Sequence, residues 1–156
     1  MEKEHHYSIH VQWTGNKGTG TASYRGYDRN HLVAADNKPP IPCSSDPAFL
    51  RDTQRYNPEE LLVASISSCH MLWYLHLCSQ AGVTVLAYDD HAKGTMQETL
   101  DGSGHFLEVS LHPMITLKDP SMEVKAHVLH DRAGKLCFIA NSVNFPIHHF
   151  PSYQFG

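Results

Sequence analysis

The sequence predicts an α+β fold, with antiparallel sheets packed around one long central helix. Three observations carry this. Residues 57–82 read as a single helix with both ends marked. Several short runs alternate polar and apolar residues at the period of a strand. Helices and strands do not follow one another in repeating βαβ units.

The helix comes first because the rest is arranged about it. Asn57 can cap it, its side-chain oxygen accepting a free N–H of the first turn. Pro58 falls at the first helical position, where a missing N–H costs nothing. Glu60 stands at a capping-box spacing from Asn57. Glu59 and Glu60 both suit the helix dipole. Gly82 is a natural residue to follow the last turn. The interior is apolar on nearly every face, so the helix is either buried or membrane-spanning. Ser65, Ser67, Ser68, Cys69 and His70 would lie at mid-depth of a membrane, so burial is the expectation. So apolar a helix needs more cover than a few strands supply on one side. A second copy of the chain would supply it, and a homodimer is expected.

The strands follow from the remaining segments. His5 to Trp13 alternates, with Tyr7, Ile9, Val11 and Trp13 on one face. A glycine-rich turn over 14–20 leads to a returning strand at Thr21–Tyr24. His31 to Ala35 is a third short strand. Asp36 to Tyr56 is a long, proline-rich linker, and long irregular segments inside a domain are often functional. After the helix come strands at Val83–Tyr88 and His91–Glu98. A turn at Asp101–Gly104 precedes a strand over Phe106–Leu117. A second helix starts near Asp119, with Val124, Val128, Leu129, Ala133 and Leu136 expected to face the core. Gly134 weakens its last turn by about 1 kcal/mol relative to Ala. A short turn or helix at Cys137–Ser142 and a closing strand near Phe155 complete the order.

The length of 156 residues suits one domain, 1–156. A formal charge of −4 and the lack of a basic run exclude a nucleic-acid partner. The first six residues lack the apolar stretch of a signal peptide, which makes the cytoplasm the expected compartment. Four cysteines at scattered spacing form no disulfide framework and no C-x-x-C zinc pair. Most of the 13 histidines, His148 and His149 included, read as solvated surface.

Chemistry centres on Cys69 and Cys137. Each reads first as a small core hydrophobe. Cys69, however, sits in a polar run, Ser67-Ser68-Cys69-His70, inside an apolar helix. Glu59 lies ten residues earlier, about 15 Å of helical rise away, so the two cannot touch within a straight helix. Antiparallel helices of two subunits, or an intervening arginine, would connect them. Cys78 lies about 13 Å beyond Cys69 on the same helix and is read as core. Cys43 is read as an exposed loop residue. Cys137, on another element, remains as a plausible partner for Cys69. His70 points about 100° away from Cys69 and is read as an interior histidine, not a base.

Asn57-Pro58-Glu59-Glu60-Leu61-Leu62, then Cys69, then Cys137 with Ala140 three residues on, resembles the OsmC/Ohr family of thiol-dependent hydroperoxide reductases. Wider stretches around Ser44–Phe49, Cys69–Leu77 and Cys137–Pro146 resemble a distinct OsmC-like branch. The resemblance implies an OsmC-like fold and an intertwined homodimer with its sites at the subunit interface. It implies that Cys69 is the peroxidatic thiolate, that Cys137 resolves its sulfenic acid to a disulfide, and that a dithiol, of the lipoyl type in relatives, reduces that disulfide. It also implies an arginine near the peroxidatic sulfur, held by Glu59. Arg29 and Arg51 are the contenders, with Arg29 ahead and Arg25 third. Phe138 stands where relatives commonly have proline. Trp73, Met71, Phe138 and Phe145 are candidates for an apolar pocket suited to organic hydroperoxides, or for ordinary core. No cofactor or metal is implied. The alternative is a non-catalytic OsmC-like protein that binds a small apolar ligand or serves in a stress response.

Overall fold

The computed structural model describes residues 3–50 and 52–156. The chain divides into two compact units, one ending at Leu61 and one running Leu62–Gly156.

The first unit holds a three-stranded antiparallel sheet of β1 (His10–Trp13), β2 (His31–Ala34) and β3 (Ile41–Cys43), in that order. The expected hairpin is longer than its sequence suggests. Thr21–Tyr24 is not a strand; the segment folds into tight turns closed by Ala22 N–H to Thr19 O and Gly26 N–H to Ser23 O. Asn16 organises the loop instead, its side-chain oxygen accepting from Gly18 and Gly20 N–H at 2.9 and 3.0 Å. The strand that pairs with β1 is β2. Only four residues of the His5–Trp13 alternation find partners, because β2 is itself four residues long. Tyr7, Ile9 and Val11 are well exposed. The long linker contains β3, an edge strand. There Pro42 is tolerated because one side of the strand needs no donor. It also contains a 3-10 turn, Pro47–Phe49, capped by the Asp46 carboxylate.

The long helix α1 (Pro58–Gln80) starts as its cap predicts. Glu60 N–H donates to Asn57 Oδ1 at 2.7 Å, and Asn57 N–H donates back to Glu60 Oε2 at 3.1 Å. It stops before Gly82, whose φ of +72° is a left-handed conformation that favours glycine. The helix is not buried all round. Its buried stripe is Ile66, His70, Tyr74, Leu77 and Cys78. Leu72, on the opposite face, is 64% exposed. By length and composition α1 could cross a membrane. Its stripe is instead part of a protein core.

In the second unit β4 (Val85–Asp90), β7 (Pro113–Leu117) and β9 (Ser152–Phe155) form one sheet. β5 (Lys93–Glu98), β6 (Gly104–Leu111) and β8 (Ile147–His149) form another. β4 with β7 and β5 with β6 are antiparallel, whereas β9 and β8 join as parallel edges. The run Phe106–Leu117 is therefore two strands in two sheets, not one. The chain turns at His112–Pro113, and β4–β5 and β8–β9 break at matching places. Pro113 and Pro151 lie at two of these breaks and cannot donate to a ladder. Asp90 stitches the bend, accepting from His112 N–H at 2.7 Å and from the Ser67 hydroxyl.

Tyr74, Leu77 and Cys78 pack with Ile115, Leu117 and helix α2 (Glu123–Leu136). Ile66 packs with Val109 and Leu111. The buried stripe of α2 is Ala126, Leu129, His130 and Ala133, while Val124 and Val128 face outward. The expected stripe was thus rotated, because small Ala126 and polar His130 carry little apolar signal. His130 Nδ1 lies 3.0 Å from His70 Nε2. The His149 ring stacks on His70 with centroids 4.3 Å apart, and Tyr74 stacks on His130 at 3.9 Å. His149 is thus half-buried, not surface. Gly134 makes room for it, since a Cβ there would sit 3.0 Å from its ring.

Burial, reinforced by the neighbouring imidazoles, holds His70 and His130 down to about 3, and burial lowers His149 as well. Unfolded histidines titrate near 6.5, so below that pH the unfolded chain binds protons that the folded one refuses. Stability should therefore be full above pH ~6.5 and fall toward pH ~3 by about 1.4 kcal/mol per pH unit for each such histidine. Melting temperatures measured from pH 7.5 to 4.5 test this, and a flat profile would show that the rings protonate in place. Separately, Asn57→Ala should cost about 1–2 kcal/mol in urea unfolding, through loss of the capping box.

Candidate functional site

α2 ends at Leu136, and Cys137 leaves the helix in an extended conformation while its N–H still donates to Ala133 O at 2.9 Å. The next residues are held by a tight turn. Asn141 N–H donates to Cys137 O, and the Ser142 hydroxyl donates to Phe138 O at 2.7 Å. This fixes a buried Cys137 beside the half-buried Cys69 of α1. The two thiols are neighbours, and both are free. Burial, and then the hydrogen bond with Cys69, push Cys137 up to about 11. At neutral pH it therefore stays protonated. Ala140 N–H also donates to Cys137 Sγ at 3.4 Å.

Beside this pair lies a cavity of about 560 Å³. α1 supplies Cys69, Leu72, Trp73 and His76 to its wall, and the segment after α2 supplies Phe138 and Ile139. Phe138 meets Trp73 edge to face, with centroids 5.6 Å apart. Trp73 and Phe138 thus line the cavity as expected. Met71 and Phe145 do not; Phe145 packs against Phe106 instead. Leu72, His76 and Ile139 were missed. The i, i+3 and i+7 spacing from Cys69 would have found the first two.

The polar run around Cys69 is mostly committed elsewhere. Ser65 and Ser68 hydroxyls donate to Leu62 O and Ala64 O, both at 2.7 Å. Ser67 bonds Asp90, and His70 bonds His130. Cys78 is buried beside Tyr74, as expected for core. Cys43, expected to be exposed, is fully buried at the end of β3.

Glu59 and Arg29 line a different cavity, of about 410 Å³, within the first unit, together with Trp13, Tyr27, His31 and Phe49. The Arg29 guanidinium lies over the rings of Tyr27 and Tyr24, 4.1 and 4.4 Å from their centroids. Its Nη1 donates to Tyr27 O at 2.7 Å. Its Nη2 and Glu59 Oε2 are both buried without a hydrogen-bond partner among the described residues. The two side chains share a cavity, yet no ion pair within 4.0 Å joins them among the described residues. Arg25 is exposed, and Arg51 lies outside the described residues. Among the described residues no cluster of three or more His, Cys, Asp or Glu side chains is arranged to hold a metal.

Comparison with curated proteins gave no match. Among solved structures the chain is similar to an OsmC-like protein of unknown function from Vibrio cholerae, with 28% identity and a TM-score of 0.84. That likeness covers 96% of this chain and 100% of that one. It is similar in fold to an organic hydroperoxide resistance protein from Elizabethkingia anophelis, with 19% identity, a TM-score of 0.73, and 99% and 100% of the two chains covered. It is also similar in fold to an organic hydroperoxide resistance protein OsmC from Legionella pneumophila, with 15% identity, a TM-score of 0.70, and 98% and 99% covered. A family model described as OsmC-like protein matches residues 51–149, and the chain belongs to that family.

Proposed function

We propose that this protein is a two-cysteine thiol peroxidase that reduces organic hydroperoxides to alcohols. One observation carries the reading: a half-buried Cys69 that opens onto an apolar cavity, with the protonated Cys137 thiol beside it. In the first step the Cys69 thiolate attacks the terminal oxygen of R–O–OH. The S–O bond forms, the O–O bond breaks, and the leaving alkoxide takes a proton to become the alcohol. Cys69 is now a sulfenic acid. Cys137 attacks its sulfur, a disulfide forms, and water leaves. A dithiol restores both thiols by exchange.

Burial favours this division of labour. Cys69 reaches the cavity, whereas Cys137 is enclosed and stays protonated until its neighbour is oxidised. Arg29 is the assigned arginine, because one of its buried N–H groups has no partner among the described residues and could meet a peroxide oxygen or a thiolate. Glu59 is assigned to orient it, and Arg51 is the alternative. We assign the working form to an intertwined homodimer of whole 1–156 domains in the cytoplasm. The exposed stripe of α1 around Leu72 supports the pairing.

One observation favours the non-catalytic alternative. No arginine lines the cavity of Cys69 among the described residues.

One equivalent of cumene hydroperoxide should consume two thiols, and peptide mapping should place them at Cys69 and Cys137. Four unreacted thiols would sink the peroxidase reading and leave the ligand-binding one. Cys69→Ser should abolish turnover, and Cys137→Ser should leave a sulfenic acid that dimedone traps. Arg29→Met should lower kcat/KM at pH 7 roughly 10- to 100-fold and move the pH–rate profile to the alkaline side, since an adjacent guanidinium favours the thiolate. If Arg51→Met does this and Arg29→Met does not, the assignment passes to Arg51.

A further inference from the structure

We infer that Asn141 is a positioning residue for the second step of the proposed cycle. Its side chain ties the turn that follows Cys137 back to the end of α2, and so holds the Cys137 sulfur where it closes the disulfide before a second peroxide reaches Cys69. The inference rests on the peroxidase reading and concerns how the sulfenic acid is resolved.

Most polar groups of the turn are tied within it. Asn141 N–H donates to Cys137 O at 3.0 Å, Ser142 N–H to Ile139 O at 3.0 Å, and the Ser142 hydroxyl to Phe138 O at 2.7 Å. These bonds fix the shape of the turn and leave its placement open. At its start Cys137 N–H donates to Ala133 O, after which a ψ of 112° at Cys137 takes the chain out of the helix. Farther along, Asn141 Nδ2 donates to Lys135 O at 3.0 Å. The carbonyls of a last helical turn have no partner inside the helix, and Lys135 O is one of them. Asn141 reaches back six residues to take it. Asn141 is exposed, so water would satisfy its amide equally well. What the bond adds is direction: it closes the turn against α2 on the far side of Cys137.

That direction matters to the chemistry. Cys137 is buried and stays protonated while Cys69 is a thiol. Once Cys69 is a sulfenic acid, the Cys137 sulfur attacks the Cys69 sulfur. The S–S bond forms, the S–O bond breaks, and the Cys137 proton leaves with the hydroxyl group as water. Negative charge gathers on Cys137 Sγ on the way. Ala140 N–H, in the same turn, points at that atom from 3.4 Å. The approach of the sulfur and the aim of this donor both depend on where the turn sits, and a misplacement of about 1 Å can cost roughly 100-fold in rate. A sulfenic acid left waiting meets more peroxide and becomes a sulfinic acid, which thiols do not reduce. Asn141 therefore governs how much excess peroxide the protein survives.

Asn141→Leu keeps the size of the side chain, adds no charge and removes the donor. Asn141→Gln keeps the donor on a longer arm. With cumene hydroperoxide and rapid quenching, the first step, read as loss of the Cys69 thiol, should run at the wild-type rate in Asn141→Leu. The sulfenic acid, trapped with dimedone, should live about 2- to 10-fold longer, the range of one hydrogen bond. More sulfinic acid should then appear by mass in excess peroxide, and Asn141→Gln should restore part of the wild-type lifetime. An unchanged lifetime in Asn141→Leu, or an equal slowing of both steps, overturns the inference. A second readout needs no peroxide: equilibration with reduced and oxidised glutathione measures how readily Cys69 and Cys137 pair. Asn141→Leu should lower that tendency by a similar factor. Thiols that ignore cumene hydroperoxide, yet pair less readily in Asn141→Leu, would discard the peroxidase and retain the Asn141 link. Two thiols lost to peroxide with equal sulfenic acid lifetimes in both proteins would do the reverse.

Discussion

The stripe Ile66, His70, Tyr74, Leu77 and Cys78 sets the rotation of α1, and most of the candidate chemistry follows from that rotation. A helix turns 100° per residue, so once these side chains face the core the direction of every other one is fixed. Cys69, Trp73 and His76 then fall on a flank, half-buried or exposed, where one cavity can take all three. A change that rotated the stripe by one residue would bury Cys69 and turn His70 outward. The site is therefore defended by core packing that takes no part in it.

The polar residues inside that packing follow the same constraint. Ser67 and His112 N–H both meet the Asp90 carboxylate where the strands bend from one sheet to the other. Even a half-buried carboxylate is costly unless its oxygens accept hydrogen bonds, and here each oxygen does. His70 and His130 satisfy one another, while His70 Nδ1 and His130 Nε2 stay without partners among the described residues. This makes the interior tolerant of neutral imidazole only. The polar run that drew attention to Cys69 is thus three residues committed to structure and one, Cys69, that faces the cavity.

Local signals were the legible ones. Asn57 and Glu60 form the capping box that their spacing implied, and Gly82 ends the helix; the meeting of Cys69 with Cys137 was legible only through the family resemblance. What escaped depended on partners distant in sequence. Nothing near His130 announces His70, sixty residues away. The bend at His112–Pro113 was hidden because apolar residues continue in register on both sides of it. Only the two sheets reveal that Val109 and Ile115 serve different layers. β3 escaped because Pro42 argues against a central strand, and an edge strand escapes that argument.

Arg29 is arranged in a way that core packing does not explain. Two tyrosine rings flank its guanidinium, and Nη1 is tied to Tyr27 O, so the group is held by one side. Among the described residues Nη2 is left buried and unpaired, as is Glu59 Oε2 in the same cavity. A buried polar group without a partner costs about 1–3 kcal/mol, more when charged. Counted within the described residues, two such groups are a cost to stability. Had stability alone shaped the cavity, a direct Arg29–Glu59 ion pair would recover part of that loss. The separation of the two groups is accounted for if the free N–H has a reacting oxygen or sulfur to meet. It is on this ground that Arg29 is proposed, with Arg51, outside the described residues, as the alternative.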